Sequence, residues 1–405
     1  MTDDTSTEGD TAGDRETPSV DPAALQRRID VGDPVRVLDL RNRDEVEQWR
    51  LAGPAVSLTQ KPYNRFVQAT VTDDVDGFVA DLEGDGPITV VCARGEASAE
   101  VASGLADAGH DARNLAGGME AWARILLATE IEGAVPGGGA VPDGDASLVQ
   151  YRRPSSGCLG YLVVSGDDAA VVDPLRAFAD RYVADAHEHG AEVEYVVDTH
   201  VHADHVSGLR AVAEASDATA VMPAAAVERG VAYDVETVAD GEELRVGDLS
   251  LEAVSAPGHT TGMTAFAIGD ALLTGDSLFT DGVARPDLER TADAPEFARE
   301  LYRTLTERFA RFPDETVVAP GHHAEGARPD EEGAVRASLG ECRDLPVFGM
   351  DEAAFVDHLT DRTPPRPANH ERIVAINLGR ESAADADAFE LELGPNNCAA
   401  APADD

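Results

Sequence analysis

His200-Val201-His202-Ala203-Asp204-His205 puts three imidazoles and a carboxylate into six residues, in a chain of 405 residues with only 11 histidines. Directly after an apolar run, such a hexapeptide sits on a loop and can present donors to a metal from several directions. A histidine left uncoordinated can then orient its neighbours. Three more candidate donors follow at similar boundaries: Ala256-Pro257-Gly258-His259, Thr274-Gly275-Asp276-Ser277 and Ala319-Pro320-Gly321-His322. One Pro-Gly-His is an ordinary turn, but four such elements in series mark a metal centre. A second chemistry is offered at Cys92-Ala93-Arg94-Gly95-Glu96-Ala97-Ser98, where a strand meets the start of a helix. Amides aimed at the sulfur and the positive end of the helix favour an anionic sulfur there. Arg94 can add positive charge, and Gly95 lets the backbone curl around the anion. A buried structural cysteine is the alternative at this position.

The elements that must hold these groups are legible in the periodicity. Residues 35–40 (VRVLDL) read as a strand, DEVEQWRLA as a helix, residues 88–91 as a strand running into Cys92, and SAEVASGLADAG as an amphipathic helix closed by Gly109. Alternation of this kind predicts an α/β domain with a parallel sheet over residues 21–127. EGAVPGGGAVPDGD lies in the clearest linker, 128–146, where glycine and proline replace apolar periodicity. A second domain is expected over 147–340, with GCLGYLVV and AAVVDP as paired strands and VEYVVDTH as the strand that delivers His200. Residues 341–405 read as a C-terminal extension packing on the second domain and ending in an acidic tail. Residues 1–20 read as a disordered acidic tail.

Composition narrows the function classes. Asp and Glu number 77 against 32 Lys and Arg, a formal charge of −45, and Lys61 is the single lysine. Such a surface repels nucleic acid and anionic lipid, so neither is expected as a partner. No apolar run reaches the roughly 18 residues of a bilayer span, and the N-terminus lacks a basic, apolar leader, so a cytoplasmic protein is expected. The pervasive acidity and near-absence of lysine resemble proteins of salt-accumulating halophiles. Cys92, Cys158, Cys342 and Cys398 lie far apart without a CxxC pair, which predicts reduced thiols rather than a disulfide scaffold. Cys158 is expected to pack in a sheet, and Cys342 and Cys398 to be structural or free.

Together the Cys92 loop, VLDLRNRDEVEQW upstream and NLAGGMEAW downstream resemble a rhodanese domain. That resemblance implies that Cys92 carries sulfane sulfur as a persulfide, within a loop that includes Arg94, Gly95 and Ser98. The chain departs from the family at WRLAGPAVSL, where rhodaneses usually show Gly-His-Ile-x-Gly-Ala. The series HxHxDH, His259, Asp276 and His322 resembles the metallo-β-lactamase superfamily and implies its αββα sandwich. Two chemistries stay open on that fold. His200, His202, Asp204, His205, His259, Asp276 and His322 would complete a two-zinc site of the glyoxalase II type, a thioesterase whose rhodanese domain would be a non-catalytic docking module. In the persulfide dioxygenases, which share these positions, the resemblance implies one Fe(II) per chain on His200, His259 and Asp276. His202, Asp204, His205 and His322 would then stand behind the ligands.

Met263, where glyoxalase II enzymes usually place a histidine, favours the dioxygenase. So does GDSLF…ARPDL, similar to the GDxLF…GRPDL of persulfide dioxygenases with Ala284 in place of glycine; in it Arg285 and Asp287 suit a supporting ion pair. The segment FVDHLTDRTPPRPANHERIVAINLG looks like the tail of rhodanese-linked members. The implied partners are a low-molecular-weight thiol persulfide, O₂, and thiosulfate or sulfite; the oligomeric state is open, a homodimer being the assembly considered.

Overall fold

The computed structural model describes residues 17–135, 146–324, 327–361, 365–394 and 397–400. These divide into two compact units, Met1–Val46 with Ala55–Trp122, and Glu47–Pro54 with Ala123–Asp405.

In the first unit, five strands, β1 (Ser19–Val20), β2 (Val35–Asp39), β3 (Val56–Gln60), β4 (Ile88–Val91) and β5 (Ala112–Leu115), form a sheet of order β1-β5-β4-β2-β3. Every pairing in it is parallel. Parallel strands are covered on both faces, which is why β2 and β4 read as short apolar runs. Val37, Leu38, Val90 and Val91 are fully buried, and Val101, Ala102 and Leu105 bring the helix Glu96–Asp107 onto the sheet. Cys92 immediately follows β4, at the carboxyl end of the strands. The expected tail is shorter than residue 20, because Ser19 and Val20 find open edge partners in Asn114 and Leu115.

The second unit stacks two mixed sheets. One has seven strands, β6 (Leu127–Glu130), β7 (Ala146–Arg152), β8 (Leu159–Ser165), β9 (Asp168–Val172), β10 (Glu192–Val197), β11 (Thr219–Pro223) and β12 (Glu236–Val238), in order β12-β11-β10-β9-β8-β7-β6. The other runs in sequence order through six: β13 (Glu243–Val246), β14 (Leu249–Ser255), β15 (Thr264–Ile268), β16 (Ala271–Gly275), β17 (Val317–Pro320) and β18 (Ala337–Ser338). Leu148, Tyr161 and Val172 of the first meet Leu251, Phe266 and Leu273 of the second in one buried layer. Outside it, Tyr182, Ala186 and Val212 cover one sheet, and Leu301, Phe309 and Phe355 cover the other. The result is the αββα sandwich expected.

The linker begins later than expected. Leu127–Glu130 is edge strand β6, antiparallel to β7, and Ile131, Ala134 and Val135 enter the core between the sheets. Residues 136–145, which hold most of the Gly/Pro stretch, lie outside the described residues. The C-terminal extension belongs to this unit, through Cys342, Phe355 and Leu359.

Candidate metal centre and sulfur loop

β10, β16 and β17 end on the same edge of the sandwich, and the loops that follow them carry His200 to His205, Asp276 and His322. His259 comes from the turn between β14 and β15. All seven side chains are buried, each 6% exposed or less. A buried imidazole needs its N–H satisfied, and the acceptor that satisfies it fixes which nitrogen keeps a lone pair.

The hydroxyl of Thr199 donates to Asp173 Oδ2 at 2.8 Å, so at 2.9 Å it accepts the Nδ1–H of His200. His259 Nδ1 donates to the carbonyl of Arg285 at 3.0 Å. Both rings therefore keep Nε2 as a lone pair, and both lone pairs face Asp276 Oδ2, at 3.8 Å from His200 and 3.6 Å from His259. These three form one compact donor group. Burial and the neighbouring His202 push His200 far below the usual imidazole value, and burial lowers His259 as well. Neutral rings are the ligand form.

His202 does not join that group. Its Nε2 donates to Asp173 Oδ1 at 3.0 Å, with Asp198 at 4.0 Å. Burial raises Asp198 to about 6. Asp204, His205 and His322 form a second group with Cys158. There His205 Nδ1 lies 3.1 Å from Asp204 Oδ2, while His322 bridges two carboxylates, Asp204 at 2.7 Å and Asp276 at 2.5 Å. Although burial pushes both carboxyls up, the charge of His322 holds Asp204 and Asp276 well below the usual range.

Five donor atoms of the two groups and His202 are buried without any hydrogen-bond partner: His200 Nε2, His202 Nδ1, Asp204 Oδ1, His205 Nε2 and Asp276 Oδ2. Each such atom costs about 1–3 kcal/mol unless something accepts its lone pair. Unpartnered nitrogen and oxygen atoms in neighbouring buried clusters fit a cation as the missing partner.

Two thiols belong here: Cys398, which the sequence left as structural or free, and Cys158, read as sheet packing although its counterparts in the superfamily it resembles lie close to the site. Cys158, expected as sheet packing, points its Sγ to Asp204 Oδ2 at 3.2 Å, because it precedes β8 on the loop side of an isolated bridge to His322. Cys398 clusters with Asp276 and His322, since its carbonyl accepts the Arg285 amide and holds this residue beside them. Asp173, which organises Thr199 and His202, was legible only as the end of the strand AAVVDP. Arg285 and Asp287 form a buried fork, 2.8 and 2.9 Å, and Arg285 Nη1 also donates to the carbonyls of Pro365 and Asn397. The pair thus anchors the carbonyl that orients His259. Met263 is buried, its methyl packed against Gly275.

In the other unit, Cys92 Sγ accepts the amide N–H of Gly95 at 3.1 Å and of Ser98 at 3.4 Å, with Ser98 Oγ at 3.0 Å. Gly95 has φ +91°, a left-handed conformation that turns the loop into the helix Glu96–Asp107. A side chain at Gly95 would stand 2.8 Å from Gly117 N, and one at Gly118 would collide with the carbonyl of Cys92. That close approach accounts for the Gly-Gly of NLAGGMEAW. Arg94 Nε donates to Glu120 Oε1 at 2.9 Å, so an ion pair offsets the positive charge expected of it.

Comparison with known proteins finds relatives of both units. Residues 155–322 match the Metallo-beta-lactamase superfamily and residues 21–125 the Rhodanese-like domain. Persulfide dioxygenase ETHE1, mitochondrial, of Homo sapiens is 27% identical over 241 residues, 57% of this chain and 87% of that protein. A hydroxyacylglutathione hydrolase of Anaeromyxobacter dehalogenans is 32% identical over 214 residues, 51% of this chain and 80% of that protein. The crystal structure of ETHE1 from Myxococcus xanthus superposes with a TM-score of 0.51 at 29% identity, covering 57% of this chain and 98% of that one.

Proposed function

This chain belongs to the metallo-beta-lactamase superfamily and joins that fold to a rhodanese-like domain, and from that premise we propose a persulfide dioxygenase coupled to a sulfurtransferase. The observation that carries the reading is the convergence of His200 Nε2, His259 Nε2 and Asp276 Oδ2 without His202. A 2-His-1-carboxylate face of this kind suits non-haem Fe(II) with positions left open. When bound there, iron supplies the redox chemistry that lets a persulfide react with O₂, which zinc cannot.

The chain's own residues do the rest. Thr199 and the Arg285 carbonyl hold the two imidazoles in the ligating tautomer. Buried side chains around the pocket keep bulk water out. The substrate is a low-molecular-weight thiol persulfide whose sulfane sulfur is oxidised as O₂ is reduced; water supplies the remaining oxygen of sulfite, and the thiol leaves. Cys92, with its amide cradle, exchanges sulfane sulfur with the thiol carrier or passes it to sulfite as thiosulfate. A cytoplasmic setting is part of this proposal. All four cysteines are free thiols, and among the described residues no helix is long and apolar enough to cross a membrane.

A two-zinc thioesterase is the competing reading, supported by the unpartnered His202 Nδ1 and by the second donor group. Protein reconstituted anaerobically with Fe(II) and given a thiol persulfide should consume O₂ and release sulfite, while S-lactoyl thioesters turn over poorly. No oxygen uptake in the iron form, with rapid thioester cleavage by the zinc form, would replace the dioxygenase with the hydrolase.

A further inference from the structure

The loop that carries His200 to His205 has no regular secondary structure, so its buried backbone groups must find partners elsewhere. They find them in the C-terminal extension. Asn377, the last residue of the helix His370–Asn377, is 5% exposed. Its Nδ2 donates to the carbonyl of His202 at 3.0 Å and to that of His205 at 2.9 Å, and its Oδ1 accepts the Ser207 amide at 2.9 Å. One side chain some 170 residues away in sequence thus ties three points of the loop. Beyond the next helix, Glu392 Oε1 accepts the Val206 amide at 2.9 Å, and its other oxygen is held by Arg153 at 2.6 Å. No intrinsic loop preference is needed to keep Asp204 and His205 aimed inward when the chain is pinned before them at the His202 carbonyl and after them at the His205 carbonyl and the Val206 and Ser207 amides.

We infer that Asn377 is a positioning residue of the metal centre, so that the C-terminal extension completes that centre rather than only covering the sandwich. The residue type fits the task. Only a primary amide offers two donors and an acceptor in one plane without a charge, and three of its bonds are used here. Aspartate at 377 could still accept from Ser207 but could donate to neither carbonyl. A hydrophobic residue would leave two carbonyls and an amide buried and unpaired. The inference rests on the cluster holding a metal, which the oxygenase and hydrolase readings share, so its test uses metal binding rather than turnover.

Cobalt(II) is the probe, because its visible absorption reports ligand geometry as well as occupancy. Asn377→Ala and Asn377→Asp in the full chain should weaken Co(II) binding about 10 to 100-fold, the usual loss when an orienting partner of a ligand is removed. Both should also alter the visible band shape. Asp385→Ala is the control: it removes the exposed ion pair between Arg176 and the following helix without touching the metal loop. It should leave both affinity and spectrum as in the wild type. Near-ultraviolet circular dichroism establishes folding for each variant. The inference falls if folded Asn377 variants bind Co(II) with wild-type affinity and spectrum, or if Asp385→Ala loses as much. It falls too if neither Asn377 variant folds, since the residue would then serve the core and not the centre.

Discussion

A sulfur atom carried as an anion needs donors at fixed places, and the Cys92 loop supplies them from its backbone. Gly95 and Ser98 amides meet Sγ because Gly95 takes a conformation open to glycine, and because Gly117 and Gly118 leave room behind it. The other three thiols stand in different surroundings: Cys158 faces a carboxylate, Cys342 sits in the apolar layer under the outer helices, and Cys398 lies beside Asp276 and His322. Burial pushes Cys342 up to about 12 and Cys398 well above the usual thiol value, which makes both poor sulfur carriers. Treatment with thiosulfate or polysulfide should therefore add the mass of one sulfur atom to the wild-type chain and none to Cys92→Ser. An adduct that survives in that variant would move the sulfurtransferase chemistry to another thiol.

The segment after Asp276 shows how an element, rather than a residue, sets a ligand. Arg285 is 1% exposed, its guanidinium held by Asp287 and by two carbonyls of the C-terminal extension, and its own carbonyl orients His259. Asp287→Asn removes the counter-charge of a buried cation, a change that costs roughly 3–5 kcal/mol. Urea unfolding at neutral pH should show a loss of about that size, together with weaker metal retention. The loss should depend on pH. Burial alone would raise the Asp287 carboxyl, but its hydrogen bonds and charge pairing with Arg285 hold it below the ordinary value. A depressed folded value stabilises the fold above the unfolded carboxyl value of about 3.9 and ceases to do so as pH falls through the folded one. The gap between wild type and Asp287→Asn should accordingly close on acidification below about pH 4. A gap that stays constant into that range would mean packing, not charge, is what the substitution removes.

Much of this cluster is legible in the sequence. Rare residue types at strand ends marked the seven histidines and aspartates that gather here, and the Arg-Pro-Asp run marked the buried ion pair beside them. Other features depended on chain segments that only folding brings together. His200 and His202 have the same type and neighbouring positions, yet face different partners because Asp173 sits beneath one of them. Cys398 reads as a residue near an acidic end until Arg285 pulls it to Asp276. Leu127–Glu130 was hidden by the glycines after it, since edge-strand pairing with β7 decides its state and local composition does not.

At the scale of the whole molecule the governing quantity is charge. The chain carries a formal charge of −45 with 77 acidic residues, and one lysine. Arginine is nearly the only fixed cation, and several of its guanidinium groups pair with neighbouring carboxylates, as in Arg303–Glu300, Arg311–Glu252 and Arg336–Asp330. With 77 acidic residues against 32 Lys and Arg, most carboxylates have no basic residue of their own to pair with. At about 0.01 M salt the Debye length is about 30 Å, comparable to a domain, so these charges repel across the fold; at about 1 M it is about 3 Å and they no longer do. Repulsion of this kind destabilises the compact state relative to an expanded one. Dialysis into dilute buffer should therefore lower the unfolding temperature and release metal, and molar KCl should restore both. Sucrose separates charge from preferential exclusion, since it strengthens apolar burial without screening anything. If sucrose rescues the dilute protein as fully as KCl does, or if the protein is equally stable at both ionic strengths, the acidic surface is not an adaptation to concentrated salt. Rescue by KCl alone would tie the surface charge to a salt-rich interior of the cell that makes this protein.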